Sequence, residues 1–476
     1  MEHSTSPNFK QNAHDALNDA SLQRALGRLK TGFKDKRTAA IAQMPEFEQL
    51  RDAARDIKNH TLANLDHYLT AFEANVIANG GHVHWCADAE EARQTVLKIC
   101  QDKDAKSVLK GKSMISEEIG LNAFLEKQDL KVVETDLGEY IIQLRHEPPS
   151  HIIAPAIHVH KEQVAESFRQ THKGRDINRP LDEPRELLDE AREVMREHFF
   201  AAAIGITGAN FLIAETGTSV IVTNEGNGDL TQTLSKVHIA IASLEKVVPT
   251  LEDASTILRV LARSATGQEM SSYTTFSTGP RRSEDLDGPE EYHVILLDNG
   301  RSNMLGTEFQ DMLRCIRCAA CMNHCPVYGA VGGHAYGWVY PGPMGSVLTP
   351  SLIGVDEAGH LPNASTFCGK CEEVCPMHIP LPKMMRHWRE REFEKHLGPQ
   401  SMRFGIQAWA WMASRPKLYQ FATGFAARVL KSIGGRKRAI RKLPLARGWT
   451  DIRDLPAPQG KTFKQLWAEQ QAAKKA

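Results

Sequence analysis

No stretch of this 476-residue chain is apolar enough, for long enough, to read as a membrane span. The most apolar run, Phe199 to Ala214, is broken by Gly205, Gly208 and Asn210, and it falls short of the roughly 20 residues such a helix needs. The N-terminus, MEHSTSPNFKQNAHDALNDA, is polar and has no apolar core, so no signal peptide is expected. Cofactor fingerprints are missing as well. There is no Walker A loop and no flavin pattern. Gly205-Ile-Thr-Gly208-Ala-Asn does not meet the Gly-x-Gly-x-x-Gly rule, and its order of elements is wrong for one. The chain therefore shows no evident two-electron cofactor of its own.

Net charge is also absent, with 58 basic and 58 acidic residues, but the balance is uneven along the chain. Residues 381–476 hold 21 Lys/Arg against 6 Asp/Glu, and the remainder carries the opposite excess. A basic segment of this kind suits an acidic partner protein ahead of nucleic acid or an anionic membrane surface. No recognition helix or zinc finger accompanies Arg436-Lys-Arg438 and Arg441-Lys442, so nucleic-acid binding is not expected. Peripheral membrane contact stays open.

What is present is cysteine in a pattern. Seven of the nine cysteines fall in two runs, Cys315-x2-Cys318-x2-Cys321-x3-Cys325-Pro326 and Cys368-x2-Cys371-x3-Cys375-Pro376. The first is the spacing of bacterial two-cluster ferredoxins, where three thiolates hold one iron–sulfur cluster and the fourth reaches the other. The short spacing lets three thiolates converge, and the proline stops the turn from continuing as a helix. Clusters are expected rather than zinc. The ferredoxin rule assigns Cys315, Cys318, Cys321 and Cys375 to cluster one, and Cys325, Cys368 and Cys371 to cluster two. Aligned on its proline, the second run has Ser365 where the first has a cysteine. Cluster two thus lacks one thiolate. A three-iron cluster, a non-cysteine ligand (Ser365, His360, His378 or solvent) and an open iron all remain, with an unusual ligand in a structural or redox-tuning role preferred. Cys86 and Cys100 read as packing residues. Reduced cysteine and the absence of export signals point to the cytoplasm.

The chain is long enough for two or three domains, and its 41% apolar and 24% charged content is that of a soluble protein. Residues 1–45 read as a polar arm with one or two short helices. Glu46 to Asn79 carries apolar residues at helical spacing and reads as one long helix ended by Asn79-Gly80-Gly81. Strands and helices then alternate. Strands are expected at 81–86, 107–110, 130–134, 211–214, 219–223, 246–248 and 292–298. Helices are expected at 89–101, 115–127, 187–203, 234–244 and 255–265. The rhythm predicts a layered α/β domain with a mostly parallel sheet over 46–305. A helical two-cluster module follows at 306–390. Its two cysteine runs lie 43 positions apart, separated by a glycine- and aromatic-rich insert suited to wrapping a cluster. A basic helical region occupies 391–476, with helices from Met402 to Ile433, an irregular end containing Pro444, and an apolar knob at Phe463-x3-Trp467.

Other chemistry weighs less. Glu215-Thr216-Gly217, at a strand end, is read as a capping turn rather than a nucleophile. Gly111-Lys112-Ser113 is read as a helix cap rather than an anion site. His82-x-His84 and His158-x-His160 would each need a third metal ligand, and the sequence shows none.

Three blocks carry a resemblance. The first comprises Asn79-Gly-Gly-His-Val-His-Trp85, Lys110-Gly-Lys-Ser-Met114, Asp136-Leu-Gly-Glu-Tyr-Ile-Ile142, Ala214-Glu-Thr-Gly-Thr218, Thr223-Asn-Glu-Gly-Asn227 and Leu297-Asp-Asn-Gly-Arg301. It is similar to the LUD domain, whose fold is related to the coenzyme A transferase-like superfamily. The second is the cysteine module with Gly333-His-Ala-Tyr-Gly-Trp-Val-Tyr-Pro-Gly-Pro343, and the third is the Trp- and Arg-rich C-terminal region. Together they resemble, over nearly the full length, the LutB family of iron–sulfur proteins of bacterial lactate utilization. The resemblance implies a part in oxidizing L-lactate to pyruvate, in a complex with two sister proteins. It implies two [4Fe-4S] clusters on the cysteines assigned above, and it makes the missing eighth cysteine a family trait. It fixes no catalytic residue and no electron acceptor. An electron-transfer subunit is the reading preferred over a stand-alone LUD-domain oxidoreductase on a small carboxylate, or a redox-sensing regulator.

Overall fold

Val237 to Ser243 is buried at every position. A strand apolar on both faces belongs inside a parallel sheet, where crossover helices cover both sides. The structure, a computed structural model, describes residues 4–443, 447–450 and 453–475. Its strands are β1 (His82–Cys86), β2 (Ser107–Lys110), β3 (Lys131–Glu134), β4 (Ile204–Gly208), β5 (Phe211–Ile213), β6 (Thr218–Thr223), β7 (Val237–Ser243), β8 (Val247–Val248), β9 (Tyr273–Ser277) and β10 (Glu291–Leu297). Six of them form one sheet in the order β1-β10-β7-β4-β2-β3, every pair parallel. The expected α/β domain is present. A second, smaller sheet, β8-β5-β6-β9, is built on the antiparallel hairpin β5–β6.

Several elements differ from expectation. The predicted helix at 234–244 is instead the central strand β7. Its alternating Val237, Ile239 and Ile241 set a strand period, and a short apolar run buried on both faces does not separate the two periods. Residues 204–208, where no element is expected, form β4. Gly205 there is a packing residue: a Cβ would sit 2.0 Å from the Thr231 carbonyl oxygen of the helix Asn227–Thr233. The long helix of 46–79 is two, Phe47–Ala63 and Leu65–Ala78, broken at Asn64. The Asn64 side chain donates to the His60 carbonyl at 2.9 Å, competing with the helical ladder. The helix of 115–127 is likewise split, by Gly120 at φ +64°.

The chain divides into two compact units, Met1–Lys395 and His396–Ala476. In the first, the N-terminal segment is no free arm. Its helices Phe9–Asn18 and Ala20–Gly27 pack on the glycine–aromatic insert. Phe9 meets the Tyr336 ring edge-on at 5.3 Å, and Gln23 donates to the Ala330 carbonyl at 2.8 Å. The second unit has two main helices, Gln400–Ala413 and Pro416–Gly434, a two-strand pairing of Ala439–Ile440 with Leu455–Pro456, and a helix at Phe463–Lys475. Phe404, Trp409, Trp411, Phe421 and Phe425 are exposed on it, and Phe463 stacks on Trp467 at 5.9 Å. Pro444 lies outside the described residues. Among the described residues no helix is long and apolar enough to cross a membrane.

Candidate iron–sulfur centre and the adjoining cavity

The two cysteine runs fold alike, fifty residues apart. Arg317 and Ala319 flank Cys318 with φ of +59° and +61°, and Phe367 and Gly369 flank Cys368 with φ of +52° and +79°. Left-handed backbone on both sides of a residue turns the chain sharply about it. A four-residue helix follows in each run, Ala320–Asn323 and Lys370–Glu373, carrying Cys321 and Cys371. In this repeat Ser365 stands where Cys315 stands. Its hydroxyl accepts the Phe367 N–H at 3.1 Å.

Folding sorts the seven thiols into two sets. Cys315, Cys318, Cys321 and Cys375 line one cavity, walled by Met312, Met322, Met344 and Ile379. Cys325, Cys368 and Cys371 are one another's electrostatic neighbours. The first set is buried or half-buried, whereas Cys368 of the second is exposed. Burial pushes the Cys318 thiol up to about 12, with Cys375 adding to it, and pushes Cys375 itself up to about 11. Cys371 likewise rises to about 12 through burial and Cys325. Thiolates here need bound positive charge.

The surroundings suit such a group. Among the described residues no three His, Cys, Asp or Glu side chains converge on a single-ion position. Four thiols spread around an apolar cavity, with no such group closing on a single-ion position among the described residues, could hold a cubane. The Tyr336 hydroxyl is fully buried with no hydrogen-bond partner, and Cys325 and Cys321 are among its electrostatic neighbours. An orphaned donor beside cysteines matches the hydrogen bonds that cluster sulfurs accept. Tyr328 N–H already points at Cys325 Sγ, at 3.5 Å.

Sequence reasoning missed the arginines that shape the cradle. Arg37 donates to the Val374 carbonyl at 2.9 Å, and Arg51 to the Cys375 and Glu373 carbonyls at 2.7 and 3.0 Å. Arg314 donates to the His378 carbonyl at 3.2 Å. These contacts fix the second run and bring positive charge to the thiols. No local motif marks Arg37 or Arg51, because their partners lie more than 300 residues away.

A larger cavity, of about 270 Å³, opens at the carboxyl ends of the parallel strands. Lys112 and Ser113 line it after β2, Gly208 to Asn210 at and after β4, and Ile241 to Ser243 at the end of β7. The chain leaves β2 toward β3 but leaves β4 toward β7, so the cavity sits at the point where the winding direction reverses. Ligand crevices of open α/β sheets form there. Cys318 and Arg317 of the thiol module also line this cavity, as does Tyr340 from the insert.

A buried polar network supports the shared wall. Arg301 pairs with Glu118 and, at 3.2 Å, with Glu245; Arg317 reaches Glu245 at 3.5 Å and lies over the Tyr340 ring at 5.0 Å. Burial works against the Glu245 carboxylate, but Arg301 and Arg317 hold it down to about 2. Lys58 donates to the Glu245 carbonyl.

The remaining candidates resolve more simply. Glu215 accepts the Leu251 N–H at 2.6 Å and caps the helix Leu251–Ala265. Ser113 caps the helix Met114–Glu118. His293 on β10 joins the His82/His84 pair: His84 Nε2 lies 3.0 Å from its Nδ1, and His82 stacks on its ring at 4.8 Å. These rings stack instead of converging on an ion. His158 bonds Glu147 at 2.7 Å, and His160 joins the cap of the helix Lys161–Thr171. His360 bonds the Ser6 carbonyl at 2.6 Å, and His378 faces Asp52 at 3.4 Å.

Comparisons with known proteins match this division of the chain. The LUD domain family matches residues 69–297, the 4Fe-4S dicluster domain family residues 311–379, and the C-terminal domain of lactate utilisation protein B residues 384–472. Lactate utilization protein B of Macrococcus caseolyticus is 44% identical over 96% of both chains. The proteins of that name from Bacillus licheniformis and Bacillus subtilis are 42% and 41% identical, each over 98% of this chain and 97% of theirs. A crystal structure of a DUF162 family protein from Deinococcus radiodurans covers 49% of the chain at 15% identity and a TM-score of 0.28. With an α/β LUD domain, an iron–sulfur module and near full-length identity above forty percent, the chain belongs to the lactate utilization protein B family.

Proposed function

We propose that the protein is an electron-transfer iron–sulfur subunit acting in the oxidation of L-lactate to pyruvate, in a complex with two sister lactate-utilization proteins. It would hold two [4Fe-4S] clusters. Cys315, Cys318, Cys321 and Cys375 would ligate the first. Cys325, Cys368 and Cys371 would ligate the second, with Ser365 in the fourth position. When bound, such clusters accept and release electrons one at a time. Lactate oxidation releases two, so two thiol sets suit the reaction.

One observation carries this reading. Cys318 borders the strand-end cavity of the LUD domain, while Cys368 lies at the surface. One thiol set thus reaches the cavity and the other reaches the surface through Cys368. Methionines wall the first cradle, and the arginines hold the second run in register.

The test is anaerobic co-purification with the two sister proteins, followed by addition of L-lactate. Cluster reduction is expected, seen as bleaching of the visible bands and an electron paramagnetic resonance signal. A complete complex whose clusters stay oxidized with lactate would overturn the reading. The cavity at the first cysteine set also favours a second reading, a stand-alone oxidoreductase. For that, the chain alone must reduce its clusters when given L-lactate.

A further inference from the structure

The wall between the α/β domain and the cysteine module carries a surplus of positive charge. Four cations, Lys58, Lys246, Arg301 and Arg317, lie with two carboxylates, Glu118 and Glu245, and Lys58 is taken up by the Glu245 and Val247 carbonyls. Arg301 and Arg317 are taken up by those carboxylates. Lys246 lines the cavity, and its ammonium makes no hydrogen bond or ion pair among the described residues. Glu245 and Cys315 are its attracting neighbours, but its donors toward the cavity are left for a guest.

The cavity is polarised. At one end Asp136 and Glu225 lie together with Lys112, which is already bonded to the Ile153 carbonyl at 2.7 Å. At the other end Lys246 and Arg317 lie beside Cys315 and Cys318. An anionic guest is therefore drawn to Lys246 and Arg317. Its polar remainder faces Ser113, Asn210 and Ser243 on the same lining. The volume of about 270 Å³ is small for a ligand site, below the ~300–1,000 Å³ of drug-sized pockets.

We propose that this cavity binds a small monocarboxylate of the 2-hydroxy or 2-oxo acid class, with Lys246 as the carboxylate anchor. The choice of acid class rests on the lactate reading above; the anion site itself rests on the cavity and its charge.

The experiment is calorimetric titration of the anaerobically reconstituted full-length protein with L-lactate, pyruvate, acetate and inorganic phosphate. L-Lactate or pyruvate should bind ahead of acetate and phosphate. Lys246→Met should weaken that binding by about 10- to 100-fold, the worth of one charge-assisted hydrogen bond, and Lys246→Arg should recover part of it. Ala265→Leu, which fills the cavity from its helical wall, should weaken binding without touching any charge. Iron content and the dithionite-reduced resonance signal should stay at wild-type values in all three. No binding of any carboxylate by fully loaded protein would overturn the proposal, as would phosphate binding as tightly as lactate. A shifted cluster potential in Lys246→Met with unchanged lactate affinity would make Lys246 a counter-ion of the first cysteine set and also overturn it. Failure of the cluster reading would register separately, as missing iron.

Discussion

Both terminal nitrogens of Arg301 bond to Glu118, at 2.9 and 2.7 Å, with almost no solvent contact on either side chain. Tyr340, from the insert between the cysteine runs, donates its hydroxyl to the same carboxylate at 2.7 Å, and Asn299 adds a fourth bond at 2.7 Å. Glu118 thus fastens the insert to the sheet. Removing one member leaves a buried charge unpaired. Arg301→Met alone should cost about 3–5 kcal/mol, whereas Arg301→Met with Glu118→Leu should recover much of it. Tyr340→Phe should cost about 1–3 kcal/mol, because Glu118 keeps its other donors. Urea midpoints of the four proteins check the order.

The division of thiols makes a separate forecast. Cys321→Ala and Cys371→Ala should each reduce about eight irons per chain to about four, with different resonance signals remaining. Cys100→Ala should leave iron unchanged, since Cys100 is buried in the sheet core with Val96 and Leu97. Loss of all iron in Cys371→Ala would mean that the two sets do not load independently.

The cysteine pattern was legible because ligand spacing is local. All seven thiols lie within ten residues of another member of their run, and the ferredoxin rule pairs the runs without a structure. The parallel sheet was legible from its alternation, yet β7, the strand at its middle, was misread as a helix. Burial on both faces erased the period that would have named it. The cavity was not legible at all. Lys112, Asn210 and Lys246 have no shared motif and meet only because β2, β4 and β7 end side by side, and Arg317 joins them from the cysteine module. Arg37 and Arg51 sat in segments read as a polar arm and a packing helix, and only tertiary contact shows which carbonyls they hold.

Glu139 gives a pH dependence. Both its carboxylate oxygens are buried without a hydrogen-bond partner. Burial raises its pKa well above the ordinary glutamate range; Glu134, Asp136 and Glu117 raise it further, and Lys110 opposes them. A folded-state pKa above the unfolded one means that the stabilising contribution is full at low pH. It drains as pH rises through the shifted value. Glu139→Gln keeps the neutral form at every pH. The melting temperature of the wild type should therefore fall relative to Glu139→Gln as pH rises above the ordinary glutamate range. A difference that stays constant as pH rises would show that Glu139 does not titrate on unfolding.

Ser365 offers the sharpest test of the second cysteine set. The fifty-residue backbone repeat places it where the first run has Cys315, and its hydroxyl takes the Phe367 N–H at 3.1 Å. Ser365→Cys should put a thiol in that position without rebuilding the turn. Iron should stay at about eight per chain, because the site is completed rather than created. The added thiolate makes the cluster environment more negative, so the potential of the more exposed cluster should fall while the buried one is unchanged. Ser365→Ala removes the oxygen and keeps the fold, and it should shift the same potential or release iron from the same cluster. Redox titration followed by electron paramagnetic resonance separates the two clusters. Unchanged potentials and iron in both variants would place the fourth ligand elsewhere, and His360 and His378 would then be the residues to replace.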